Sequence, residues 1–210
     1  MRVKRFLLIG FLVILAGVGA GAWFTWRKTN SDRGFHISAT GGREMSLTLP
    51  ELGHTYLQRD PQWRDEKLGR TTETLGSVGC TVCSVAMAST SLGFPIDPSE
   101  LNRKLRESGG FTSDGWLVWG ALAKVTDDKI DVAVTSRPSH ADIDSALARG
   151  DFPVVKFFYP LGLPHWVVIV GKDGLEYLIR DPAKDSERPI RLSTRTSAIY
   201  SVRVIRAKAA

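Results

Sequence analysis

The spacing of apolar residues changes character near residue 150, and that change limits the fold more than any single motif does. Before it the pattern is mainly helical. Asp97-Pro98-Ser99-Glu100 predicts a helix start, with an Asp N-cap, Pro at the first helical position and Glu at the third. Leu101 and Leu105 form its apolar stripe and Gly109 its stop. Thr112-Ser113-Asp114-Gly115 predicts a further helix that carries Trp116, Leu117, Val118, Trp119, Leu122 and Ala123 as core. Ile130, Val132 and Val134 alternate as a half-buried strand, and Pro138-Ser139 caps a short helix with Ile143, Ala146 and Leu147 inward, closed by Gly150. After it, Phe152 to Tyr159, His165 to Val170, Leu175 to Ile179 and Ile199 to Ile205 are rich in Val, Ile and aromatics and read as strands. Helices gathered in the first half and strands in the second predict an α+β domain, with helices packed on a mostly antiparallel sheet.

Within the helical half, Thr74 to Gly79 is a turn-forming stretch that gives way at Cys80 to small apolar residues ending near Gly93. This predicts a loop entering a helix buried on most sides, with Cys80 at the helix N-terminus. Free backbone N–H groups and the helix dipole favour negative charge there, so a thiol is more readily held as thiolate. A buried, inert structural cysteine fits the same stretch.

The N-terminus has a different origin. Phe6 to Trp23 contains no charge and follows Arg2, Lys4 and Arg5, and the apolar run continues to Trp26 before Arg27-Lys28. Residues 1–28 therefore read as a membrane anchor or signal peptide, with an uncleaved signal anchor favoured over cleavage at Ala20-Gly21-Ala22. Either version exports the rest of the chain. Gly17 and Gly21 have the spacing of a helix-dimerisation pair. Residues 29–50 are polar and Gly-bearing and predict a flexible tether, so the domain proper is expected over 51–206.

Of the 210 residues, 28 are Lys or Arg and 22 Asp or Glu, a formal net charge of +6. Five of the positive charges belong to the N-terminal segment (Arg2, Lys4, Arg5, Arg27 and Lys28), leaving the exported part near +1. That balance points to no nucleic-acid partner.

Four further features carry chemistry. His54 to Trp63 reads as a short strand followed by an Asp-Pro turn, with Trp63 plugging the core edge. Gln58 within it is either a solvated strand residue or a side-chain donor to a site. His165 opens the strand His165 to Val170, and Gly171-Lys172-Asp173-Gly174 predicts a turn into Leu175 to Pro182. In such a hairpin His165 lies opposite Arg180 or, with one extra loop residue, opposite Asp181, about 5 Å away between Cβ atoms. In the second register an acid holds the imidazole in one tautomer. Alone, Asp181-Pro182 also reads as a turn former capping its own backbone, and His165 as a buried, hydrogen-bonded histidine.

Together, Gln58, Cys80, His165 and Asp181 supply a donor, a nucleophile, a base and an orienting acid. The chain resembles the bacteriocin-processing (double-glycine) peptidase-like branch of the papain-like cysteine peptidases. The resemblance rests on Leu57 to Trp63, on Thr74 to Gly79 with Cys80 and Ser84 to Met87, on His165 to Gly171, and on Asp181-Pro182, and covers roughly residues 52–205. It implies a papain-like α+β fold in which Gln58 and the Cys80 backbone N–H form the oxyanion hole, His165 is the base and Asp181 orients it. It implies hydrolysis of a peptide or protein substrate through a thioester; no cofactor is expected, and no metal, because a single C-x-x-C with no second ligand pair makes an incomplete zinc site.

Without the nucleotide-binding and multi-span regions of transporter-linked members, the expectation is a free-standing exported hydrolase at the cytoplasmic membrane. A cell-wall peptide hydrolase is one variant. Two other readings stay open. Cys80-Thr81-Val82-Cys83 is a C-x-x-C at a helix start, as in thiol-disulfide oxidoreductases, although the polar, Gly-rich stretch before it is not the strand such a fold requires. A non-catalytic peptide-binding domain of the same fold is the other.

Overall fold

The structure is a computed structural model that describes residues 34–208; the expected anchor over 1–28 and the first part of the expected tether lie outside the described residues. Among the described residues no helix is long and apolar enough to cross a membrane.

The elements run in the order β1 (Ile37–Ser38), β2 (Thr40–Thr48), α1 (Leu75–Val78), α2 (Cys80–Ser91), α3 (Pro98–Ser108), α4 (Ala121–Val125), β3 (Ile130–Val134), α5 (His140–Arg149), β4 (Phe152–Phe158), β5 (Pro164–Arg180), β6 (Ile190–Arg191), β7 (Ala198–Ile199) and β8 (Ser201–Ala207). A six-stranded sheet has the order β2-β5-β4-β8-β3, with β6 added to β5, and every pairing is antiparallel. A small second sheet pairs β1 with β7. The architecture is therefore α+β, with most of the sheet following the helices in sequence.

The helix signals at two places act as the residues predict. Asp97 accepts from the Glu100 N–H and Gly109 takes a left-handed conformation (φ +74°) at the end of α3. Ser139 caps α5 and Gly150 (φ +84°) ends it.

Helix α2 is the centre of the core. Cys83, Val85, Ala86 and Ala88 are inaccessible to solvent, and Ser84 donates to the Trp166 carbonyl at 3.2 Å, tying the helix to β5 beside His165. His165 and Lys172 differ in parity along β5 and so project to opposite faces. His165 meets α2, and Lys172 meets Asp144 of α5 at 2.7 Å.

Four expectations are corrected. Residues 37–38 and 40–48, expected as tether, are strands, and β2 forms one edge of the main sheet by pairing Met45 to Thr48 with Gly171 to Gly174 of β5. The described fold thus begins well before residue 51. The segment keeps its place through tertiary bonds: the Lys172 ammonium donates to the Gly41 and Arg43 carbonyls, and the Arg43 N–H donates to Asp144. Local periodicity carries no trace of such bonds.

The helix expected from Thr112 is mostly a turn, in which Thr112 closes on Trp116 and Phe111 bridges Leu117. Only α4 is helical there, and Trp116 and Val118, expected in the core, are exposed. No strand forms over His54 to Leu57, although Trp63 is buried as expected, its indole N–H donating to the Leu57 carbonyl. Tyr200 interrupts the last expected strand, separating β7 from β8, and donates its N–H to the Lys156 carbonyl.

Candidate active site

The run Pro164–Arg180 is strand throughout, including the residues Gly171 to Gly174 where a turn is expected. A straight strand of that length would hold its ends about 55 Å apart. Instead His165 Nε2 lies 2.6 Å from Asp181 Oδ1, just past the other end, so the chain reverses within the run. Gly174, at φ +62°, supplies a left-handed residue near its middle. The side-chain contact expected for the second register is the one found. Arg180 turns away and forks onto the Glu51 carboxylate.

Asp181 is inaccessible to solvent, and both of its carboxylate oxygens accept hydrogen bonds. Oδ1 accepts from His165 and, at 2.8 Å, from the Ala183 N–H, so the backbone-capping reading and the orienting reading of this aspartate both apply. Oδ2 accepts from Arg195 Nε at 2.7 Å. Burial works against its charge, but the bonds from His165, from the Ala183 N–H and the charge of Arg195 hold its carboxyl below the ordinary range.

Cys80 is the first residue of α2, presented by a tight junction between two helices. Thr74 caps α1 through a reciprocal bond with Ser77, and Gly79 ends α1 and begins α2. A side chain at Gly79 would put its Cβ 2.4 Å from the Leu75 carbonyl oxygen, so the junction needs glycine for space. The Cys80 thiol is buried, which raises its pKa, yet the hydrogen bond and charge of His165 outweigh burial and bring it below the usual thiol value. The His165 ring shows the complementary effect. Burial lowers its proton affinity, but Asp181 and Cys80 together push its pKa up to about 9. Because Nε2 is held by Asp181, Nδ1 is the nitrogen left to the thiol. These groups favour a thiolate–imidazolium pair.

Gln58 is brought to the same place from the other side. Its backbone N–H donates to the Pro182 carbonyl at 2.9 Å and its side-chain Nε2 to the Gly76 carbonyl at 3.1 Å, four residues before Cys80. It is buried, not solvated, and its Oε1 is buried with no partner. All four residues singled out from the sequence therefore converge on the junction between α2 and the two ends of β5.

Three residues that the sequence did not single out belong to the cluster. Arg195 follows a short 3-10 turn and bonds both Asp181 and, through Nη2 at 2.8 Å, the Tyr159 hydroxyl. Tyr159 and Phe157 pack against the imidazole as a three-ring cluster, with ring centroids 4.9 and 5.2 Å from that of His165 and 5.4 Å from each other. None carries a local motif; the pairing of Phe157 with His165 across β4 and β5 places the two aromatics, and the bond to Asp181 places Arg195.

Cys83, one turn after Cys80, is wholly buried, and burial raises its thiol well above the usual value. Both cysteines are free. Among the described residues no group of His, Cys, Asp or Glu has the arrangement of a metal site. A cleft of about 750 Å³ bounded by Arg70, Arg103, Arg106 and Phe111 includes none of the four site residues.

Compared with models of protein families, the chain matches none, and no curated protein matches it. Among solved structures it is similar to a candidate C39-like peptidase from Bacillus anthracis, with 17% sequence identity, 74% of this chain and 99% of that one covered, and a TM-score of 0.43.

Proposed function

We propose that the chain is an exported cysteine peptidase of papain-like type, anchored at the cytoplasmic membrane by residues 1–28. The observation that carries this reading is the His165 imidazole set between the Cys80 thiol and the Asp181 carboxylate, with the thiol pKa drawn down and the imidazole pKa raised to about 9. In the proposed reaction Cys80 Sγ attacks the carbonyl carbon of a peptide bond. The oxyanion that develops is met by the Cys80 backbone N–H, free at the start of α2, and by the second side-chain N–H of Gln58. His165 then gives its Nδ1 proton to the departing amine, leaving a thioester. It next takes a proton from the water that hydrolyses the thioester, while Asp181 keeps Nε2–H pointed away from the reacting atoms. Val78 and Leu163, exposed apolar residues each two positions from a reacting group, offer surface to the side chains of a bound peptide.

The test is labelling of the protein by a thiol-reactive peptide electrophile. Cys80→Ala should abolish both labelling and peptide hydrolysis, whereas Cys83→Ala should retain them, because Cys83 is buried and held as the thiol. Equal loss in both variants, with disulfide exchange by the wild type, would move the assignment to a dithiol catalyst. The topology has its own check: full-length protein should sediment with membranes and expose residues beyond about 30 to protease added outside the cytoplasm. Its recovery from the soluble cytoplasm would overturn the anchoring.

A further inference from the structure

We propose that Asp181 and Arg195 act as one charge-neutral unit behind His165, so that Arg195 is a positioning residue of the reaction. The inference rests on the peptidase reading of Cys80 and His165 and goes beyond it by assigning what sets the charge balance of the pair.

A buried carboxylate 2.6 Å from an imidazole has two opposed effects on a thiolate–imidazolium couple. It stabilises the imidazolium, and it repels the thiolate that the imidazolium is meant to hold. An uncompensated aspartate therefore moves the whole couple to higher pH. Here the second carboxylate oxygen accepts from Arg195 Nε at 2.7 Å. The local sum of the two charges is zero, and the carboxylate still accepts from Nε2–H.

The same guanidinium also fixes the ring mechanically. Its Nη2 donates to the Tyr159 hydroxyl at 2.8 Å, and the Tyr159 ring lies 4.9 Å from the imidazole, tilted by 31°. Asp181 and Tyr159 thus touch His165 from two sides, and Arg195 joins them behind it. The charged and titratable groups facing the couple are Cys80 from α2, Tyr159 from the β4–β5 connection, Asp181 after β5 and Arg195 behind both; Asp60 acts on Cys83, one turn further along α2.

The experiment measures the rate of Cys80 alkylation by iodoacetamide against pH in the full-length protein, with the labelled cysteine identified by mass spectrometry and a thermal melt for each variant. In the wild type the rate should rise below the ordinary thiol range. Arg195→Gln removes a positive charge, which raises both pKa values of the couple and should move the profile upward by on the order of one pH unit. Asp181→Asn removes a negative charge and should move it downward. The double variant Asp181→Asn/Arg195→Gln restores neutrality and should return the profile towards the wild-type position. Arg195→Lys keeps the charge but not the fork, so it should hold that position with a lower maximum rate.

A profile unmoved by Arg195→Gln, single variants that shift in the same direction, or a double variant as displaced as Arg195→Gln would each overturn the proposal while leaving the peptidase reading standing. A wild-type Cys80 that titrates like an ordinary thiol would overturn both. Should Arg195→Gln fail to fold, the double variant and Arg195→Lys decide the matter by the same criteria.

Discussion

Gln58 shows how far one residue's environment departs from what its letter suggests. The Gly76 carbonyl accepts from its side chain, which fixes the amide with Nε2 toward that carbonyl and leaves one N–H for a ligand. Replacing it with alanine should lower kcat by roughly 100-fold, equivalent to about 3 kcal/mol of transition-state stabilisation. The same change should cost about 1 kcal/mol of stability through the lost bond to Gly76. Steady-state kinetics beside a thermal melt separates the two effects, and wild-type kcat in Gln58→Ala would remove this residue from the oxyanion site. Asp181 was legible from Asp-Pro at a strand end, but its letters do not distinguish a turn cap from an orienting acid, and here one oxygen serves as both.

The α1–α2 junction and β5 are where elements decide the site. Because Gly79 leaves no room for a Cβ against Leu75, the Gly79→Ala variant must either shift α1 or move the first turn of α2. We expect a loss of about 1–3 kcal/mol in denaturant unfolding together with slower Cys80 alkylation at fixed pH. Wild-type stability with unchanged labelling would show that the junction tolerates a side chain. For β5, the turn expected at Gly171 to Gly174 is instead paired with β2, and the reversal that brings Asp181 to His165 occurs within a continuous strand. Turn-forming letters located the reversal but not its form, because the neighbouring strand supplies the backbone partners. The stretch after Thr112 failed in the opposite sense: a run of large apolar residues reads as core, yet its backbone closes into a turn that leaves Trp116 and Val118 in solvent.

At the scale of the whole molecule, the buried Lys172 joins elements distant in sequence. Its ammonium is satisfied by Gly41 and Arg43 of β2 and by Asp144 of α5, and Asp144 also accepts from the Tyr177 hydroxyl. Lys172→Met would leave Asp144 buried without a cation, an arrangement that typically costs about 3–5 kcal/mol. The expected result is a large drop in the denaturant midpoint, partly restored by adding Asp144→Asn, and a midpoint like that of the wild type would mean that β2 is held by its ladder alone. Loss of β2 would also free one flank of β5, the strand on which the site is built.

What the sequence determined by itself is local. Caps, a left-handed glycine after each of two helices, period-2 strands and a cysteine at a helix start depend on neighbours within a few residues, and so the α+β class was readable; Gln58, Cys80, His165 and Asp181 were picked out as candidates only by their combination, and the structure brings them together. What only the tertiary structure decided is long-range. The strand character of residues 40–48, the reversal within β5, and the recruitment of Tyr159 and Arg195 depend on partners from 14 to 131 residues away, and on charges that become strong only once burial removes the water that would screen them.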